Sequence, residues 1–122
     1  AYEVDFIRDA KTDEHKAHQP FGQVPVYRDE EVEIFESGAI VLRIAERWGK
    51  GHGKLLPDDA AGRIHAIQWM LAALNSVEPP LLGVIINDRF EADKPWADER
   101  RPVARAYLET RLRDLVARLG DK

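Results

Sequence analysis

Two short stretches of this sequence carry residue types that could bind an amino acid. In the first, Glu36-Ser37-Gly38 opens a segment with helical periodicity. Unpaired N–H groups and the positive end of a helix dipole make such a position an anion site. The Ser37 hydroxyl could donate to a carboxylate, and the Glu36 carboxylate could hold an ammonium group. Carboxylate and ammonium on one carbon describe an α-amino acid. Simple helix capping by Ser37 is the alternative and, for these residues alone, the more common one.

The second stretch, Gln23-Val24-Pro25-Val26-Tyr27, is a short predicted strand that a proline interrupts. Proline has no N–H for a ladder hydrogen bond, so Pro25 belongs at a strand start or at a sheet edge. If the Val24–Pro25 bond were cis, the N–H and C=O of Val24 could face outward and pair with an extended peptide. An edge-strand proline without a ligand is the alternative interpretation.

The spacing of apolar residues predicts the elements that position these stretches. Residues 2–7 alternate apolar and charged and predict a strand, and 8–19 predict a loop with room for one helical turn. A turn at 28–31 and a strand at 32–35 complete a hairpin. From Ser37 the period becomes helical, and Gly49 should end that helix. Its predicted apolar face is Ile40, Val41, Ile44, Ala45 and Trp48.

The second half of the sequence predicts helices. Asp58-Asp59 are good N-cap residues for a helix that Pro79-Pro80 should kink or end. Residues 81–87 fit a helix or a strand, and 88–97 predict a loop. A final helix should begin near Pro102, whose missing N–H is harmless in a first turn. The predicted inner faces of the two helices are Ile64, Ile67, Leu71, Leu74 and Val77, and Leu108, Leu112, Leu115 and Leu119.

The composition is that of an ordinary soluble protein, with 122 residues, 33% of them charged, and a net charge of −4. This length should suffice for a core, and this charge argues against nucleic acid or an anionic membrane as the main partner. No apolar run approaches the ~20 residues of a membrane span and no secretory signal is visible, so a cytoplasmic location is the default expectation. Zero cysteines exclude disulfides and thiolate chemistry within the chain. No metal site is expected, because His15 and His18 lack a third ligand.

Taken together and in order, several segments resemble the cytosolic glutathione transferase family. Residues 72–81 are similar to the first long helix of the helical domain in the family's bacterial members. The resemblance covers about 2–119 and implies a thioredoxin-like N-terminal domain at 1–48, a linker at 49–57 and a helical C-terminal domain at 58–122, both domains being partial. The other segments that carry it are His15-Lys16, Pro20-Phe21-Gly22-Gln23-Val24-Pro25-Val26 and Phe35-Glu36-Ser37-Gly38-Ala39-Ile40.

The resemblance implies that glutathione is the co-substrate and that the turn before the hairpin holds its middle. Pro25 would be cis, and Val24 would pair its backbone with the cysteinyl unit. Gln23, beside Val24, would contribute more weakly.

The two ends of glutathione are assigned to other residues by the same resemblance. Glu36 and Ser37 would hold the γ-glutamyl end, in agreement with the amino-acid site argued from the residues. Lys16, and less directly His15, would sit near the glycyl carboxylate, where a cation is physically sensible.

The resemblance leaves the catalytic residue unknown. In the family, the serine, tyrosine or cysteine that activates the thiol lies on a strand and helix that precede the strand at 2–7, and this sequence begins after them. The family's short helix between Lys16 and Phe21 is reduced to 17–20, and the family's next helix would follow Lys122. The sequence is therefore interpreted as incomplete at both ends. Ser76 is expected to pack or to line the pocket wall.

The predicted function is binding of glutathione and, in the complete protein, attack of its thiolate on a small hydrophobic electrophile. A homodimer is expected. Two alternatives stay open. One is a non-catalytic glutathione-binding or protein-interaction module that keeps the fold, and the other is a glutathione-dependent reductase or peroxidase.

Overall fold

A computed structural model describes residues 2–49 and 55–120. The chain divides into two compact units, Ala1–Asp58 and Asp59–Lys122. The glycine-rich motif at 51–54, which the sequence predicts to be a linker, lies outside the described residues.

The N-terminal unit is built around a short hairpin. Helix α1 spans Asp13–Lys16, strand β1 spans Val26–Arg28, strand β2 spans Glu33–Phe35 and helix α2 spans Ser37–Trp48. The strands pair antiparallel, with Val26 opposite Phe35 and Arg28 opposite Glu33. The hairpin, the single helical turn before it and the helix after it lie where the sequence predicts them, except that β1 begins at Val26 and not at residue 23, and that the turn lies one residue later than the predicted 28–31.

Asp29 fixes the hairpin turn and ties it to α2. Its carboxylate accepts hydrogen bonds from the N–H groups of Glu31 and Val32 and from the Nε of Arg43, at 2.9, 3.0 and 2.9 Å. The hydrogen bond from the Arg43 guanidinium lowers the pKa of Asp29 most, and the two backbone N–H donors lower it further. The pKa of Asp29 therefore lies well below its usual range. A second arginine on α2, Arg47, adds a hydrogen bond to Glu30.

Helix α2 buries only part of its predicted apolar face. Ile40 and Ala45 are buried, whereas Val41, Ile44 and Trp48 are exposed. The helix packs against β2, and a hairpin this small covers only a narrow stripe of it. Gly49 ends the helix as predicted, with its N–H donating to the Ala45 C=O.

The strand predicted at 2–7 is absent. Residues 2–7 have no regular secondary structure and are exposed. A strand needs a neighbouring backbone, and the one sheet of the described residues has two strands, which pair with each other. Alternation of side chains alone therefore did not suffice to predict a strand here.

The C-terminal unit begins where predicted but continues past its prolines. The Asp59 carboxylate accepts from the Gly62 N–H at 2.7 Å and caps α3, Ala60–Ala72. A π-helical turn, Ala73–Val77, leads directly into α4, Glu78–Ile85, and a second π-helical turn follows at Ile86–Phe90. The sequence predicts that Pro79-Pro80 kink or end the helix, and the structure shows that they do not end it. They stand in the first turn of α4, where a missing N–H costs little, and the wide turn before them absorbs the change.

The last helix, α5, spans Ala97–Leu119 and begins five residues earlier than the start predicted at Pro102. Asp98 and Glu99 stand in its first turn, where acidic side chains favour the positive end of the helix dipole. Buried Asn87 donates to the Ala97 C=O at 3.2 Å and ties the π-helical turn to the start of α5. Pro102 therefore lies inside the helix, and the predicted loop ends at Trp96.

The predicted inner faces of these helices are poorly buried. Ile64 and Leu71 of the first stripe and Leu112 and Leu119 of the second are exposed, while the other members of both stripes are half-buried. Among the described residues of the whole chain, the buried apolar side chains are Ile40, Ala45 and Ala97. The expectation of a substantial core was wrong, because each unit packs only a few elements together.

The continuous helix Ala60–Phe90 is 31 residues long and, by length and composition alone, apolar enough to cross a membrane. The sequence predicts no apolar run of this length, because Pro79-Pro80 are expected to interrupt it. A single helix of this kind is weak evidence for a membrane span, since helices of soluble proteins pass the same test.

Candidate functional site

The hairpin register brings the two candidate stretches to the same place. Val26, the first residue of β1, lies opposite Phe35, the last residue of β2. Pro25 and Val24 therefore precede β1 at the same end of the hairpin at which Glu36 and Ser37 follow β2. Two segments that are about ten residues apart in sequence become neighbours.

The start of α2 presents unpaired backbone donors. Its first helical hydrogen bond runs from the Ile40 N–H to the Glu36 C=O at 3.0 Å, so the N–H groups of Ser37, Gly38 and Ala39 have no partner within the helix. Glu36 occupies the N-cap position with φ of 73°, and its side chain makes no capping hydrogen bond. Ser37 is the first helical residue and not the cap, which corrects the alternative of simple capping by Ser37.

The residue before the hairpin is equally open. The Val24–Pro25 peptide bond is cis, as the family resemblance implies. Val24 is 61% exposed, and within residues 2–49 its backbone N–H and C=O make no hydrogen bond. An extended ligand could use both groups.

Helix α1 holds the turn that carries Gln23. His15 is buried, and its Nε2 donates to the Gln23 C=O at 2.6 Å. The Gln23 N–H donates to the Oε1 of Gln19, which is also buried, at 3.1 Å. The backbone of Gln23 is therefore fixed from both sides, and His15 acts through its ring on that backbone.

Two lysines border the same turn. The Lys11 Nζ donates to the Gly22 C=O at 2.7 Å, and the exposed side chain of Lys16 passes close to Gly22. Gly22 has φ of 60°, and a Cβ there would stand 2.8 Å from the backbone oxygen of Ala10, which explains the glycine. Sequence reasoning identified Lys16 but missed Lys11 and Gln19, because only the fold brings them to the turn.

A charged cluster stands beside β1. Glu33 accepts from His18 Nδ1 at 2.7 Å and from Arg28 Nε at 2.6 Å. The hydrogen bond from His18 lowers the pKa of Glu33 most, and the hydrogen bond from Arg28 lowers it further below its ordinary value. Arg28 and Glu33 carry opposite charges, so this pair offers little free charge to a ligand.

A cleft of about 680 Å³ opens along this edge of the N-terminal unit. The cleft is lined by residues 3–7 and by His15, His18, Val24, Pro25, Val26 and Arg28. Within the described ranges no three His, Asp or Glu side chains group as metal ligands.

Two further side chains that carry a hydroxyl group, Ser76 and Tyr107, lie in the other unit. Ser76 is exposed in the first π-helical turn. Tyr107 on α5 is half-exposed, its hydroxyl accepts from Arg111 at 3.4 Å, and the Arg111 guanidinium lies 5.2 Å from the centre of its ring. Neither geometry resembles a site for activating a thiol.

Comparisons with known proteins agree with this picture. Residues 1–46 match the family described as "Glutathione S-transferase, N-terminal domain". The chain is 36% identical over 88 residues to glutathione S-transferase F10 of Arabidopsis thaliana, a match that covers 71% of this chain and 41% of that protein. It is 34% identical over 82 residues to glutathione S-transferase F9 of the same plant, covering 63% and 38% of the two chains.

A third relative, a glutathione S-transferase of Hyoscyamus muticus, is 28% identical over 114 residues, covering 84% of this chain and 52% of that protein. The chain thus spans about half or less of the length of these curated relatives. All three are plant proteins, so the expectation of a bacterial type is not supported. The similarity to bacterial members had rested on 72–81 alone.

The register, the helix start and these matches lead to one structural conclusion. The chain is similar to glutathione S-transferases: residues 1–46 match their thioredoxin-like N-terminal domain and hold a two-stranded sheet, and a mostly helical region follows.

Proposed function

We propose that the N-terminal unit binds glutathione and that the whole protein transfers the glutathione thiolate to a small hydrophobic electrophile. The observation that carries the proposal is the open start of α2. Three unpaired N–H groups, the Ser37 hydroxyl and the Glu36 carboxylate stand together there, beside the exposed backbone of Val24.

Each end of an α-amino acid has a partner in this arrangement. The α-carboxylate of the γ-glutamyl group would accept hydrogen bonds from the amides of α2 and from the Ser37 hydroxyl, with the helix dipole adding to the attraction. The α-ammonium would pair with the Glu36 carboxylate. This pairing of charges favours an amino-acid terminus over a simple anion such as phosphate.

The rest of glutathione would extend along the turn before the hairpin. The cysteinyl unit would exchange backbone hydrogen bonds with Val24, next to cis Pro25, as in strand addition. Lys16, which is exposed, would meet the glycyl carboxylate. His15 and Gln23 would act indirectly, because the bond between them holds the backbone that carries Val24.

The remaining features of the proposal follow the family resemblance. We propose that the chain divides into a glutathione-binding domain at 1–48, a linker at 49–57 and a helical domain at 58–122. We also propose that the protein is a cytoplasmic homodimer. The thiol-activating residue stays unassigned.

Calorimetric titration with reduced glutathione tests the binding. We expect Ser37→Ala to weaken binding by roughly 10- to 100-fold, the equivalent of about 1.5–3 kcal/mol for a hydrogen bond to a charged group. Ser76→Ala is the matched control: it removes a serine hydroxyl from the C-terminal unit and should leave the affinity for glutathione unchanged. Equal affinities for wild type and Ser37→Ala would contradict the proposed role of the start of α2.

A second assay separates the proposed transfer from the two alternatives. The chain is mixed with glutathione and an activated aryl halide, and the thioether product is measured. Binding without product would favour the non-catalytic module for this chain, and reduction of a peroxide without thioether formation would favour the reductase or peroxidase.

A further inference from the structure

A single residue, Glu36, joins β2 to α2 and so connects the two halves of the proposed glutathione site. We propose that the ion pair between Asp29 and Arg43 stops α2 from pivoting about Glu36, and thereby keeps the start of α2 aligned with Val24 for one glutathione molecule that contacts both. The inference rests on the proposed function and adds two positioning residues to it, neither of which is proposed to touch the ligand.

Glu36 has a backbone conformation that needs support from its surroundings. Its φ of 73° lies in the left-handed region, which a non-glycine residue rarely adopts. Such a conformation costs free energy and persists only where the surrounding structure holds it. A change of backbone angles at Glu36 would turn the whole of α2, and with it the N–H groups of 37–39. Because hydrogen bonds weaken steeply with angle, α2 must be held at a second point for these groups to face a ligand.

Apolar packing supplies only part of that second point. The helix packs against β2, but the buried apolar side chains among its twelve residues are Ile40 and Ala45. Apolar contacts are also non-directional, so they oppose separation more than rotation. Charged hydrogen bonds depend on distance and angle, and are therefore better suited to fix the direction of a helix.

The Asp29 carboxylate uses its two oxygens for different purposes. Oδ1 accepts from the N–H groups of Glu31 and Val32 at 2.9 and 3.0 Å, and so shapes the hairpin turn. Oδ2 accepts from the Nε of Arg43 at 2.9 Å, and so joins this turn to α2. The Asp29 side chain is 6% exposed and that of Arg43 is 21% exposed, so water competes little for the bond between them.

The ion pair lies well away from the pivot. Arg43 is six residues after Ser37, which corresponds to ~9 Å along the helix axis at ~1.5 Å per residue. The turn at Asp29 is at the end of the hairpin opposite to the end that carries Val24 and Glu36. A contact at this distance from the pivot fixes the direction of α2 more firmly than a contact beside it would.

Titrations of the full chain with two ligands, followed by amide NMR, test this inference. Reduced glutathione would contact both halves of the proposed site, whereas L-glutamine has only the α-amino-acid end and would contact the start of α2 alone. We expect Arg43→Met to weaken glutathione binding roughly tenfold and glutamine binding less than about twofold, because lost alignment affects only the ligand that joins both halves.

Two further variants separate alignment from folding. Asp29→Asn keeps an oxygen for the backbone donors of the turn and replaces Oδ2 by an amide nitrogen. The turn should therefore persist, while the affinity for glutathione falls as in Arg43→Met. Arg28→Met is the matched control: it removes an arginine whose carboxylate partner, Glu33, lies in the same hairpin, and it should leave both affinities unchanged.

The possible outcomes distinguish this inference from the proposed function. An unchanged affinity for glutathione in Arg43→Met, or an equal loss for glutathione and glutamine, would overturn the positioning role and leave glutathione binding in place. A loss in Arg28→Met as large as that in Arg43→Met would also overturn it, since the effect would then not depend on a link to α2. Absence of glutathione binding by the wild-type chain would overturn both proposals.

Discussion

The backbone of Glu36 decides what the start of α2 can bind. A non-glycine residue with φ of 73° is uncommon, and such strain tends to occur at functional sites. With Glu36 as the N-cap, Ser37 is the first helical residue. The Ser37 hydroxyl therefore does not cap the helix, although the sequence suggests that it does. The types and spacing of 36–38 predicted that a helix begins here, whereas no sequence pattern predicts a strained glutamate.

Replacing Glu36 by glycine should separate stability from binding. Glycine adopts positive φ without penalty, so Glu36→Gly should raise the free energy of unfolding by about 1 kcal/mol. The same change removes the carboxylate proposed to hold the ammonium, so glutathione affinity should fall. Urea unfolding and calorimetry measure the two effects. Glu36→Ala, which keeps the strain and loses the carboxylate, is the control; a variant Glu36→Gly that is less stable than wild type would contradict the account.

At the scale of elements, the hairpin and α2 were predictable because their signals are local. The turn at 28–31, the alternating strand residues and Gly49 each specify structure within a few positions. The path through Pro79 was not predictable, since its effect depends on whether a π-helical turn precedes it. The prediction of a strand at 2–7 was wrong, because strand pairing depends on backbone that is distant in the sequence.

Helix α4 contains a glycine that its surroundings do not require. Nothing lies within 4 Å of a Cβ built at Gly83, and glycine is a poor helix former. Gly83→Ala should therefore raise the free energy of unfolding by about 0.5–1 kcal/mol. Gly22→Ala is the opposing control, because its positive φ and the 2.8 Å approach to Ala10 should make it destabilising. Thermal unfolding distinguishes them; stabilisation by Gly22→Ala or destabilisation by Gly83→Ala would refute this reading.

The junction between the second π-helical turn and α5 should depend on pH. Asp88 accepts from Arg105 and Arg101 at 2.8 and 3.0 Å. The hydrogen bond from Arg105 has the largest effect and that from Arg101 the next largest, and together they lower the pKa of Asp88 from 3.8 to about 2. Since the folded-state pKa is lowered, its contribution is complete above pH 3.8 and disappears as the pH falls toward 2.

Removing this carboxylate should flatten that dependence. Asp88→Asn should lower the unfolding midpoint at pH 7, and its deficit relative to wild type should shrink between pH 4 and pH 2. Helical circular dichroism during thermal unfolding gives the midpoints. Asp93→Asn changes an exposed carboxylate whose partner is its neighbour Lys94, and it should have little effect at any pH. A deficit that grows on acidification would contradict the assignment.

At the scale of the whole molecule, most large apolar side chains of the described residues keep substantial exposure. The sequence predicted which helix faces are apolar. It did not predict how little of these faces would be buried, because periodicity identifies an apolar face but not the element that packs against it. The homodimer proposed from the family resemblance would cover part of this surface. The chain also spans about half or less of its curated relatives, so the transfer reaction remains a proposal about the whole protein.

The most direct test of the central claim is an amide NMR titration of the full chain with reduced glutathione. The largest shifts should fall on Val24 and on Ser37, Gly38 and Ala39, and Ser37→Ala should move the titration to roughly 10- to 100-fold higher glutathione concentrations, whereas Ser76→Ala should not. No shift at millimolar glutathione, or shifts confined to the helical unit, would contradict it.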